Sequence, residues 1–150
     1  MTASDLQALE DWAAPLLTSL DDGERRQLAR TLATELRRSQ RDRIRSQHNP
    51  DGTRYEPRKR LRGRSGGIRR RAMFQQLATT RYLKARGDSD QVTVGFFGRV
   101  ARIAAVHQYG RRDKIDRNGP VYDYPARELL GFSDHDRALI RDLLIDHLGV

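Results

Sequence analysis

The sequence contains no cysteine, which excludes disulfide bridges, a thiol nucleophile, thiolate–zinc sites and iron–sulfur ligation together. It also lacks any run of about eighteen apolar residues, the length that a membrane-spanning helix needs. Its first residues, MTASDLQALEDW, put acidic side chains where a secretory signal would carry basic and then apolar ones. The expectation is a chain made in the cytoplasm, with no membrane contact. Aromatic residues make up only 7% of the chain and the mean hydropathy is -0.81, so a modest core must carry many solvated side chains. At 150 residues one domain, 1–150, is expected, stabilised by packing or by assembly.

What the chain has in excess is arginine, which supplies 26 of its 29 basic residues and a formal net charge of +9. From Gly23 to Gln75 there are 17 basic against 5 acidic residues, whereas the remainder carries 12 against 15. Such a segment suits bidentate contacts to phosphate or carboxylate. Arg58 to Arg64 and Ile68 to Arg71 could neutralise several phosphates, with Tyr55 and Phe74 as stacking groups. They could equally pair with acidic protein surfaces.

Hydrophobic spacing orders the rest. Leu6, Leu9, Ala13, Leu16 and Leu17 fit a first helix with Ser4 as its N-cap and Pro15 as its end or kink. Asp21, Glu24 and a stripe of Leu28, Leu32 and Leu36 predict a second helix to about Arg45. Its stripe thins after Leu36, so the second half is expected to project, basic all round. Residues 46–71 show neither helical nor strand period and read as a basic extended arm. A β-hairpin follows, with Val92, Val94 and Phe96 alternating. Then comes a short amphipathic helix that puts Val100, Ile103, Ala104 and His107 on one face and ends at Gly110. Arg111 to Gly119 reads as a polar loop. Ser133 and Asp136 then open a closing helix that carries Ile140, Leu143, Leu144 and Leu148. The fold class is α+β: N-terminal helices, a small antiparallel hairpin or sheet, a short amphipathic helix and a C-terminal helix.

Candidate chemistry is sparse. His107 has no acidic neighbour in sequence to orient it, so a packed histidine is the expected role. His135 and His147 would stand about 18 Å apart on one helix, too far to share an ion. With Asp134 and Asp136 they read as solvated helix residues. RGRSGG, Arg62 to Gly67, lacks the order of a phosphate loop. No catalytic residue, metal, cofactor or small-molecule substrate is expected.

Four phrases in order, RDRIRSQHNPDGTRYEPRK, RRRAMFQQL, VGFFGRVARIAAVHQYG and YPARELLGFS, resemble the tail completion proteins of contractile-tailed bacteriophages, the phage virion morphogenesis family. The resemblance spans most of the chain from Arg41 to Ser133. It implies a non-enzymatic virion component, made in the host cytoplasm, that completes the head-proximal end of the tail and enables head–tail joining. By the same analogy the fold is like that of tail terminator and head–tail joining proteins, assembled as a homo-oligomeric, sixfold ring. Implied partners are tail tube or sheath proteins and head-completion or connector proteins, with DNA contact open. The basic polar loop and RGRSGG depart from the family pattern.

A ring closed by heterologous contacts needs two different surfaces on each subunit. The expected contact residues are Tyr55, Arg58, Lys59, Arg60, Arg62 and Arg64 from the arm. From the later stretch they are His107, Tyr109, Arg111, Arg112, Tyr122, Tyr124 and Arg127. Arg69, Arg70 and Arg71 are the candidates to face DNA. Leu129, Leu130 and Phe132 are expected to seat that stretch against the core.

Overall fold

The computed structural model describes residues 3–58, 72–114 and 117–149. Among them the elements run α1 (Ala3–Leu17), α2 (Asp22–Arg45), β1 (Leu83–Gly87), β2 (Val92–Phe96), α3 (Val100–Tyr109), β3 (Arg112–Lys114), β4 (Val121–Asp123) and α4 (Asp134–Leu148). The fold is α+β, and α2 is its axis. Asp21 stands in extended conformation and its side chain accepts the Glu24 N–H at 2.7 Å, which satisfies one of the helix's orphan donors.

Two expectations at α1 are corrected. Its first helical residue is Ala3, so Ser4 lies inside the helix rather than capping it. Pro15 does not end it either, because only one ladder bond is lost so near the terminus, and Thr18 N–H still reaches Ala14 C=O at 3.2 Å.

The larger correction is α2. Its second half does not project: Leu36, Gln40 and Ile44 are buried on the same side as Ala29 and Ala33, at the three-to-four-residue spacing of one helix face. The polar Gln40 interrupts the apolar stripe in sequence but not in space. β1 lies across this helix so closely that a side chain at Gly87 would stand 2.5 Å from the Ala29 carbonyl carbon.

β1 and β2 form the expected antiparallel hairpin, in register from Leu83↔Phe96 to Gly87↔Val92. A second hairpin appears where the polar loop was expected: β3 and β4 pair Arg112↔Asp123, Asp113↔Tyr122 and Lys114↔Val121. Three-residue strands made largely of charged side chains carry no alternation for a sequence reading to detect. An Arg112–Asp123 ion pair at 2.8 Å spans the two strands.

The core has two centres. Near the start of α2, Leu28 packs with Ala13 of α1 and Leu144 of α4, flanked by Leu17, Leu20, Leu32, Ile140 and Leu148. Near its end, Ile44 packs with Tyr55, Met73, Ala78, Leu83, Ala104 and Leu129. On α3 the inward residues include Ala104 and Val106, while Ile103 is 45% exposed and leaves the predicted face. Phe132 is 46% exposed, so of the predicted seat only Leu129 and Leu130 reach the core.

α4 opens with the predicted capping box, Ser133 and Asp136 bonding each other's backbone N–H at 3.0 and 3.1 Å. Asp136 is nevertheless fully buried, not solvated. Its carboxylate also accepts from Ser39 Oγ and from Gln40 Nε2 at 3.0 Å. Asp136 thus ties α4 to the second half of α2.

Candidate functional site

The region predicted as an arm begins as folded structure. Gln47 adopts a left-handed φ of 64° at the end of α2, and a turn closes through Gly52 N–H to Asn49 C=O at 2.9 Å. Asp51 steadies it by accepting the Thr53 N–H at 2.9 Å. The Thr53 hydroxyl, which also donates to it, and then the Thr53 N–H hold the Asp51 carboxyl below its ordinary pKa. A bridge pairs His48 with Arg54. Tyr55 then turns inward, 4% exposed, and its hydroxyl donates to Glu128 C=O at 2.8 Å. Burial pushes that phenol up to about 12. Tyr55 therefore belongs to the core, and offers little surface for a contact.

Both ends of the remaining arm are held. Arg127 is 4% exposed and donates to Glu56 C=O at 2.7 Å and Pro57 C=O at 3.2 Å. It too works inside the subunit. At the return, Gln47 pairs with Met73 like a second backbone strand, giving Nε2 to its C=O and accepting its N–H, each at 2.8 Å. Lys59, Arg60, Arg62, Arg64, Arg69, Arg70 and Arg71 lie outside the described residues.

Sequence reasoning missed the residues that brace this region. Arg43, expected on a projecting helix, donates to His48 C=O at 3.0 Å, Glu128 C=O at 3.0 Å, Leu129 C=O at 2.8 Å and Gln40 Oε1 at 2.6 Å. Gln108 accepts the Leu129 and Leu130 N–H groups, both at 2.9 Å, and donates back to Leu130 C=O at 2.8 Å. Gln40, Gln47 and Gln108 each satisfy backbone or side-chain groups far along the chain. Nothing local in the sequence marks them.

From the core an aromatic column leads to the surface. Tyr55, Phe74, His107, Tyr124 and Tyr122 meet edge to face in turn, with centroid separations of 5.7, 4.8, 5.0 and 4.8 Å. Phe74 holds a left-handed φ of 67° between its two neighbours. His107 sits in this column with its Nδ1 buried and unpartnered. Burial first, and then the positive charge of Arg127 and Arg58, lower its pKa to about 4, so it is a neutral packing residue near pH 7. Among the described residues no group of three or more His, Asp and Glu side chains could hold a metal.

What remains at the surface is a basic face around the second hairpin. Tyr109 is 67% exposed, with the Arg111 guanidinium 4.9 Å from its ring centre. Arg102 reaches Asp113 at 2.8 Å, Arg112 reaches Asp123, and Lys114 and Arg117 are exposed. Their arginine partners hold Asp123 and, with the Lys114 N–H foremost, Asp113 below the usual carboxylate pKa. Arg58, where the arm departs, is close enough to influence His107 and Arg127 electrostatically. The structure thus brings the arm's origin and the Tyr109–Tyr124 stretch, foreseen as two surfaces, onto one face. A hollow of about 370 Å³ lies elsewhere, lined by Leu17, Thr18, Leu28, Leu32 and Val92 together with Arg25, Asp88 and Asp90.

A model of the phage virion morphogenesis family matches residues 4–149. Tail completion protein S of Escherichia phage P2 is 38% identical over 148 residues, covering 97% of this chain and 98% of that protein. No solved structure matches the chain significantly.

Proposed function

The chain belongs to the phage virion morphogenesis family, and from that premise we propose that it is a structural protein that completes the head-proximal end of a phage tail. The observation that carries this reading is the near end-to-end similarity to a protein named for tail completion. The geometry supports a protein that acts by contact. His107 is packed and neutral, and Tyr109 and Arg111 stand exposed together beside the second hairpin.

In this reading copies form a ring, sixfold by analogy with tail symmetry, that joins tail tube or sheath proteins to the head-completion or connector proteins. It works in the virion after synthesis in the host. Deletion of the coding sequence, with complementation by the intact copy, tests this. Separate heads and tails in electron micrographs, joined again on complementation, are the expected result; normal infectious particles from the deletion would overturn it.

The alternative, a nucleic-acid-binding module acting through residues 54–71, keeps its charge but loses its stacking groups. Tyr55 is inside the core and Phe74 is packed between Tyr55 and His107. DNA contact by the arm arginines then rests on phosphate neutralisation, whose mark is a steep fall of affinity with salt. Duplex binding measured across a salt series decides it: a flat or absent response removes DNA from the list of partners.

A further inference from the structure

Charge is sorted along this fold. Residues 1–24 contain six acidic residues and no lysine or arginine, in a chain whose net charge is +9. α1 turns Leu6, Leu9, Ala13 and Leu17 toward the body and leaves Ala8, Asp11, Trp12 and Pro15 along its open side, the spacing of one helical face. Asp11 is exposed beside Trp12, itself 39% exposed, and Glu10 is exposed farther round the helix. Asp22 and Glu24 add acidic charge beyond the helix, next to Arg25 and Arg26, and Arg25 lines the hollow beside Leu17 and Thr18.

A second surface, basic in balance, stands elsewhere. The second hairpin and the neighbouring turn of α3 expose Arg102, Arg111, Arg112, Lys114 and Arg117 against Asp113 and Asp123. α2 sets the separation. Leu28 belongs to the cluster that seats α1, and Ile44 to the cluster that seats α3. At 1.5 Å per residue these points are about 24 Å apart.

We propose that copies of this chain associate by a repeating heterologous contact, the acidic α1 face of one copy against the basic hairpin face of the next. The proposal rests on the ring reading above and specifies its interface. A symmetric pairing of α1 with α1, or of hairpin with hairpin, would bring like charges together. The crosswise pairing brings opposite charges together and leaves one surface of each kind for the next copy. It also puts arginines against the Trp12 indole, the strongest side-chain acceptor for a cation–π contact. A chain of net charge +9 repels its own copies unless its charge is separated in this way.

Two variants test the contact, both built from exposed positions and checked by circular dichroism for an unchanged fold: Glu10→Lys with Asp11→Lys, and Arg111→Glu with Lys114→Glu and Arg117→Glu. Mass is read by light scattering and sedimentation at low salt. The wild type should be oligomeric and lose mass as salt rises, and each variant alone should be monomeric. Their equimolar mixture should regain mass, because the intact hairpin of one variant meets the intact α1 of the other and the two reversed surfaces are again opposite in charge. Variants that still oligomerise as the wild type does would overturn this contact while leaving the ring. Monomeric variants whose mixture does not pair would also overturn it. A wild type that is monomeric at every salt and concentration would overturn both readings.

Discussion

His107 is held in a place that suits its neutral ring and no other form. It lies between Phe74 and Tyr124, with Arg127 and Arg58 near enough to oppose a proton. The unfolded chain takes up that proton as pH falls through about 6.5, the folded chain only near 4. The contribution is therefore complete above about 6.5 and is lost progressively between there and 4. Replacing His107 by Gln should lower the melting temperature at pH 8, through lost ring packing, yet make its fall between pH 6.5 and 4 shallower. An unchanged slope would show that this ring is not the titrating group. Gly110 is constrained twice, by a φ of +63° and by the Ala126 backbone nitrogen 2.8 Å from where a side chain would begin. Gly110→Ala should cost about 1–3 kcal/mol in urea unfolding, and a neutral result would mean that the α3 end can shift.

At the scale of elements, buried polar side chains do the joining. Asp136 accepts from Gln40 Nε2 and the Ser133 N–H, and Gln40 Oε1 accepts from Arg43 and from the Gly131 N–H at 3.1 Å. One network so fixes α2, the 128–133 segment and α4. Asp136→Asn keeps the shape but turns an acceptor into a donor facing other donors. It should lose about 1–3 kcal/mol for each buried group left unpaired, seen as a lower urea midpoint with the slope of the transition unchanged. Gln47 plays the same part at the arm's return. Gln47→Gly relieves the left-handed backbone but deletes the clamp on Met73. A net loss of about 1–3 kcal/mol is expected; a gain in stability would mean that the strain outweighs the clamp.

For the whole molecule, two modest core centres are strung along one helix. In the proposed assembly each subunit gains stability from its neighbours by mass action. Its melting temperature should rise with protein concentration, and that dependence should weaken with salt as exposed charges are screened within about 8–10 Å. A melting temperature independent of concentration would place assembly outside the subunit's own affinity, with the tail as template.

The sequence by itself determined what depends on near neighbours. Asp21 with Glu24 started α2, Gly110 ended α3, Ser133 with Asp136 capped α4, and the alternation from Val92 to Phe96 marked the first hairpin. Each rests on bonds or facing side chains a few residues apart, so its signal lies within one window of the chain. The family's four ordered phrases were legible for the same reason, as local patterns kept in order. Only the tertiary structure decided the rest. Tyr55 and Glu128 are separated by 73 residues and Ser39 and Asp136 by 97, and no period along the chain connects them. The second half of α2 looked solvated because its inward polar residues, the buried Gln40 and the half-buried Arg43, find their partners only after the chain has returned. The second hairpin hid because charge pairing across strands, rather than apolar alternation, accompanies its register. Polar side chains are read as exposed until a distant donor or acceptor meets them, and folding alone brings that donor or acceptor to them.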